Sequence, residues 1–215
     1  MENANVILFC CLIVPLGMML LLVKDRARQL IGFLIYGIVM CLLAGELNGL
    51  ILHKTELTEY YISVNIAPII EECLKAALII AFAYFAKPDR QFLIESSLAI
   101  GVGFATLENC CILMETTQRI TIGWALVRSF GAGLMHSVCT LAVGYAMSFI
   151  NDKNKRRLAH PATVAALAAA IIYHSIYNIL VQSSGKAMGI LLPVVTYVAL
   201  IFIVGKQKKT VENRT

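Results

Sequence analysis

Charge is what this sequence has least of. Asp, Glu, Lys and Arg make up 14% of its 215 residues against 59% hydrophobic ones, and the mean hydropathy is +0.79. That leaves too little polar surface to coat a water-soluble globule, so the chain belongs in a bilayer. Alternation of apolar and polar residues is also missing, which argues against a β-barrel; near-continuous apolar runs stand in its place. Aspartate is scarce. Asp25, Asp89 and Asp152 all sit at loop boundaries, so no pair lies inside a run for aspartyl-protease chemistry, and Gly101-Val102-Gly103 is followed by Phe104 rather than Asp. There is no GxSG serine motif, no HExxH helix and no CxxC pair. The cysteines (Cys10, Cys11, Cys41, Cys73, Cys110, Cys111 and Cys139) fall within apolar runs and read as small packing residues, not disulfides or zinc ligands.

The apolar runs lie near residues 3–23, 31–52, 63–86, 92–114, 122–150, 161–182 and 187–205. Each suits a membrane-spanning helix, which needs about 20 residues. The expected fold is therefore an all-α polytopic transmembrane bundle of about seven spans, forming one integral membrane domain over 1–215. The first run has no basic residue before it and no small-x-small pattern after it, so it reads as a retained anchor and not a signal peptide. Lys24, Arg26, Arg28, Lys87, Arg90, Lys153, Lys155, Arg156, Arg157, Lys206, Lys208, Lys209 and Arg214 all fall on one face of such a bundle. Only Lys54, Arg119 and Lys186 fall on the other. Basic loops stay cytoplasmic, so the N-terminus is expected outside and the C-terminus in the cytoplasm. The net charge of +5 then reflects topology and does not call for nucleic acid.

A charge at mid-membrane costs about 2.5–3.5 kcal/mol on insertion scales, so each one retained there is a functional candidate. They cluster: Glu46 and Asn48 in the second run, Glu71, Glu72 and Lys75 in the third, Glu108 and Asn109 in the fourth, Arg128 and His136 in the fifth, His174 and Asn178 in the sixth. Lys75 lies three and four residues beyond the two glutamates, within reach of a carboxylate on its own helix. At about 1.5 Å of rise per residue, Glu71, Glu72, Glu108 and His174 share a layer roughly 9–12 Å below the outer boundary. On a straight helix His136 would lie deeper, roughly 20 Å. The length of the fifth run, and Gly131 and Gly133 just before the histidine, lead to the expectation of a break or interfacial helix there, with the true span starting near Leu134.

These residues resemble the motifs of the PrsW family of intramembrane proteases. The family's EExxK appears as Glu71, Glu72 and Lys75, and its FxxxE with a following Asn as Phe104, Glu108 and Asn109. The histidine of the next span is His136, in a run that begins with Arg128 and continues to Gly144, and HxxxN is His174 and Asn178. The family-like core covers residues 65–180. CAAX prenyl proteases share the fold but carry an arginine one position beyond Lys75 and a histidine in place of Glu108. The resemblance implies a glutamic-type peptide hydrolase without a cofactor, acting near the outer face on a single-span membrane protein. In bacterial relatives that substrate is an anti-sigma factor, cut first at this site, which places the chain in a bacterial cell membrane.

The catalytic set implied is Glu71, Glu72, Glu108, His136 and His174, with Lys75, Asn109, Arg128 and Asn178 in support. Glu71 or Glu72 would deprotonate water, Glu108 and His174 would position it, and His136 or Asn178 would face the oxyanion. A zinc version would draw its ligands from Glu108, His136 and His174. A non-catalytic scaffold or small transporter of the same fold is the alternative class, since acid and histidine arrays also build ion relays. A transporter would be expected to show a two-fold repeat, and none is visible.

Overall fold

A computed structural model describes residues 4–115, 121–152, 155–183, 188, 189 and 191–199, and all regular structure among them is helical. The elements are α1 (Ala4–Leu22), α2 (Asp25–Lys54), the single turn α3 (Glu59–Tyr61), α4 (Ala67–Phe85), α5 (Arg90–Glu115), α6 (Ile122–Met147) and α7 (Arg156–Gln182). A π-helical turn, Ile62–Ile66, leads from α3 into α4, whose first turn holds Pro68. Residues 191–199 are also helical.

Four helices, α2, α5, α6 and α7, are long and apolar enough to cross a membrane, which makes the chain an integral membrane protein. This is the part of the seven-span expectation that length and composition carry. α4 has 19 residues but includes Glu71, Glu72 and Lys75. The last expected span, 187–205, lies only partly within the described residues. Arg119, Lys153, Lys186, Lys206, Lys208, Lys209 and Arg214 lie outside them.

The expected break in the fifth span does not occur. α6 runs unbroken through Gly131, Ala132 and Gly133. Its extra length is absorbed differently: residues 122–130 are mostly exposed, with Ile122 at 82%, and burial begins at Gly131. The glycines mark where a long helix enters the bundle, so His136 reaches the site on a continuous helix that overshoots its neighbours.

α5 is the central helix, and glycines let its neighbours approach backbone to backbone. A Cβ on Gly37 of α2 would strike the Ile100 carbonyl, and one on Gly103 would strike the Leu34 carbonyl. On the other side, a Cβ on Gly101 would lie 2.8 Å from the His136 carbonyl, and one on Gly144 would meet the Ser97 hydroxyl. This is small-residue packing of the kind that replaces the hydrophobic effect between helices in lipid. Ile38, Ala44, Phe104 and Leu107 fill the α2–α5 seam, with Leu8, Leu12 and Leu16 of α1 packed outside it. At the end where α2 and α5 begin, Phe33, Phe82 and Phe92 pack edge to face. There Arg26 lies over Phe92 and bonds Glu95 at 2.8 Å. At the opposite end, the Asn178 amide of α7 donates to the Ser63 carbonyl at 2.9 Å, and the Gln182 amide meets the Ser63 hydroxyl at 2.6 Å. These two bonds fix the C-terminal turns of α7 against the π-helical turn that precedes α4.

Candidate active site

One layer of the bundle brings α4, α5, α6 and α7 together through side chains the bilayer would otherwise expel. Glu72 and Lys75 are one turn apart on α4 and pair at 2.7 Å, each side chain 1% exposed. Such a pair survives burial only when its remaining polar atoms are also bonded. Here each member makes a second bond: Glu72 Oε1 also contacts His174 Nδ1 at 2.8 Å, and Lys75 Nζ contacts His136 Nδ1 at 2.8 Å. His136 Nε2 in turn lies 2.8 Å from Glu108 Oε2. Phe104, one turn before Glu108 on α5, closes the ammonium from another side, with its ring centroid 4.6 Å from Nζ. A cation over an aromatic face is stabilised by the ring quadrupole.

This chain of contacts fixes both imidazole tautomers. The Lys75 ammonium can only donate, so His136 Nδ1 accepts and His136 Nε2–H donates to Glu108. Glu72 is a carboxylate and can only accept, so His174 Nδ1–H donates to it, and in the neutral imidazole His174 Nε2 then carries the lone pair. That nitrogen faces Glu71 Oε2 across 3.8 Å. Neither atom has a hydrogen-bond partner, and both are buried. The rings of His136 and His174 stand edge to face at 4.9 Å, which holds the second imidazole in place.

Glu71 lines a cavity of about 470 Å³ together with Glu108, Arg128, Asn178, Asn48 and Ser63. The adjacent glutamates have thus separated: Glu72 looks inward and organises the layer, while Glu71 faces the cavity. Adjacent helical residues diverge by about 100°, so α4 cannot aim both at one point. The same divergence splits Glu108 from Asn109, which turns to α6 and donates to the Ser129 carbonyl at 3.5 Å. Arg128 reaches the cavity wall with its Nε–H free of hydrogen bonds. Asn178 lines the cavity and is tied to Ser63, not to His174.

The nine residues of the implied catalytic and supporting set lie in or beside this layer, with Asn109 facing away from the cavity. Sequence reasoning missed Ser63 and Gln182, which resemble span-end residues. One signal was available: His174, Asn178 and Gln182 recur at four-residue spacing and so share a face of α7. The acidic member of the possible metal set also changes. One carboxylate oxygen of Glu71 and one ring nitrogen each of His136 and His174 lie within 4.8 Å of one another. Glu108, expected in that set, is instead bonded to His136.

A model of the PrsW family, described as intramembrane metalloprotease, matches residues 25–205. A curated relative, Protease PrsW of Clostridioides difficile (strain 630), is 25% identical over 217 residues, covering 94% of this chain and 89% of the relative. No solved structure matches the chain at a significant level.

Proposed function

Because the chain belongs to the PrsW family of intramembrane proteases, we propose that it hydrolyses a peptide bond of a single-span membrane protein near the outer face of a bacterial cell membrane. An anti-sigma factor cut at its first site is the substrate its resemblance to the family favours. The observation that carries the reading is the pair of buried, unpartnered acceptors, Glu71 Oε2 and His174 Nε2, facing each other across 3.8 Å beside the cavity. A water molecule bridges two such acceptors by donating one hydrogen to each, which turns its oxygen lone pair toward the cavity. Glu71 takes the proton as the water oxygen bonds to the scissile carbonyl carbon. It then returns that proton to the amine as the C–N bond breaks. The Arg128 Nε–H supplies a donor for the oxyanion. Glu72 and Lys75 are positioning residues: through their bonds they set the orientation and tautomer of His174 and His136. The one-sided distribution of Lys and Arg among the loops supports an extracytoplasmic cavity.

A metal-dependent reading has its own support in the same atoms. Two acceptors without donors suit a cation, and Glu72 bonded to His174 Nδ1 is the carboxylate–histidine arrangement that orients metal-bound imidazoles. Glu71, His136 and His174 would hold a zinc ion, and zinc would polarise the carbonyl and acidify its bound water. His136 is the weak member, since both of its nitrogens are already bonded and one contacts the Lys75 ammonium. We therefore favour the glutamic mechanism.

Co-expression with a tagged single-span protein tests the function: cleavage by the wild type should be lost in Glu71→Gln and His174→Ala. Cleavage that persists in both removes the site assignment. Metal analysis of the purified protein separates the two chemistries. The glutamic mechanism expects cleavage insensitive to chelators, whereas about one bound zinc per chain with chelator-sensitive cleavage establishes the metal reading.

A further inference from the structure

α2 and α5 are in backbone contact at Gly37 and Gly103. Two and three turns further along α2, Gly45 and Gly49 have nothing within 4 Å of the position a Cβ would take. Both helices line a cleft of about 410 Å³ there. Gly45 and Gly49 on one wall and Ile112 on the other line it, and it ends at Glu71 and Glu108. Asn48, Gly49 and Leu52 line both this cleft and the central cavity, so the two are continuous. Glu71 is 8% exposed and its Oε2 is unpartnered at their junction.

Gly45 and Gly49 have the GxxxG spacing that lets a second transmembrane helix approach closely, and here that face is open. The cleft is also acidic: Glu46, Glu71, Glu108 and Glu115 line it, and no Lys, Arg or His does so among the described residues. We propose that the cleft between α2 and α5 is the lateral way in for the substrate. Its transmembrane helix docks on Gly45 and Gly49, and a basic residue at its outer end is drawn toward the cleft carboxylates, which delivers the adjoining unwound segment to Glu71. This rests on the protease reading and adds the docking face and the charge of the segment recognised.

The test uses the full-length protein in proteoliposomes with two probes: a single-span reporter with a Lys-rich or Glu-rich outer flank, and fluorescent casein, an unfolded soluble protein that reaches the cavity from the water side. Gly45→Leu puts a side chain on the docking face, with its Cβ in open space and away from the central cavity, and Gly17→Leu is the control, since a Cβ there is equally free of neighbours. Gly45→Leu is expected to cleave the Lys-flanked reporter about tenfold more slowly, while casein cleavage and the Gly17→Leu control stay at wild-type level. The wild type is expected to prefer the Lys-flanked to the Glu-flanked reporter. Unchanged reporter cleavage in Gly45→Leu, a parallel fall with casein, or preference for the acidic flank overturns the route while leaving the protease intact. A change in oligomeric state with reporter cleavage preserved assigns the face to a second copy of the chain and also overturns it. Wild-type protein that cleaves neither probe, or does so equally with Glu71→Gln, overturns the protease reading and the route with it.

Discussion

Glu71→Gln and Glu72→Gln make the same chemical change at adjacent residues, and the structure assigns them opposite consequences. Glu72 Oε1 takes contacts from Lys75 at 2.7 Å and His174 at 2.8 Å, with its side chain and that of Lys75 each 1% exposed. Neutralising Glu72 leaves an ammonium buried without its counter-charge. Removing one member of a buried ion pair costs about 3–5 kcal/mol. Glu71 Oε2 has no hydrogen-bond partner to lose, so its isosteric replacement should alter stability by no more than about 1 kcal/mol. Unfolding of the purified variants in mixed micelles, followed by helix content, measures both. Adding Lys75→Met to Glu72→Gln removes the stranded charge and should recover most of the loss. Cleavage should separate the variants the other way: Glu71→Gln folds like the wild type yet loses about 10²–10⁴-fold in rate, the contribution of a general base. A Glu72→Gln protein as stable as the wild type, or a Glu71→Gln protein less stable than Glu72→Gln, would refute the division of labour between the two carboxylates.

Three further outcomes follow from the geometry. Gly37→Val and Gly103→Val drive a side chain into the backbone of the opposite helix, and each should cost at least about 1–3 kcal/mol in the same unfolding assay, whereas Gly32→Val, at an open position, should not. Asn178→Ala removes the bond to the Ser63 carbonyl and should lower stability by about 1 kcal/mol, seen as a lower unfolding midpoint with an unchanged slope. Arg128→Met should lower kcat by about 10²–10³ with little change in KM if its Nε–H meets the oxyanion, and a steady-state kinetic comparison with Arg128→Lys reports whether charge alone suffices.

Much of this site was legible because a bilayer makes polar residues conspicuous. Glu71, Glu72, Glu108 and His174 could be assigned to one layer by counting helical rise, and the bonds Glu72–His174 and His136–Glu108 join that layer. His136 was reachable only by assuming a break in α6, because rise counts depth from the end of an apolar run and an overshooting helix has no visible starting point. The division between Glu71 and Glu72 depends on the rotation of α4 about its axis. That rotation is set by the π-helical turn at Ile62–Ile66 and by its ties from Asn178 and Gln182, long-range contacts that no local pattern in α4 encodes. The role of Phe104 was hidden for a similar reason: a phenylalanine in an apolar run looks like core until an ammonium is found 4.6 Å from its ring.

The central claim is that Glu71 and His174 form the reaction centre of an intramembrane protease. It is tested most directly by reconstituting wild-type and Glu71→Gln protein with the Lys-flanked single-span reporter and mapping the products by mass spectrometry. The account predicts one cut near the outer end of the reporter's span, with a rate about 10²–10⁴-fold lower in Glu71→Gln. Wild-type cleavage rates in Glu71→Gln, or a cut at the end of the span on the side of the basic loops, would contradict it.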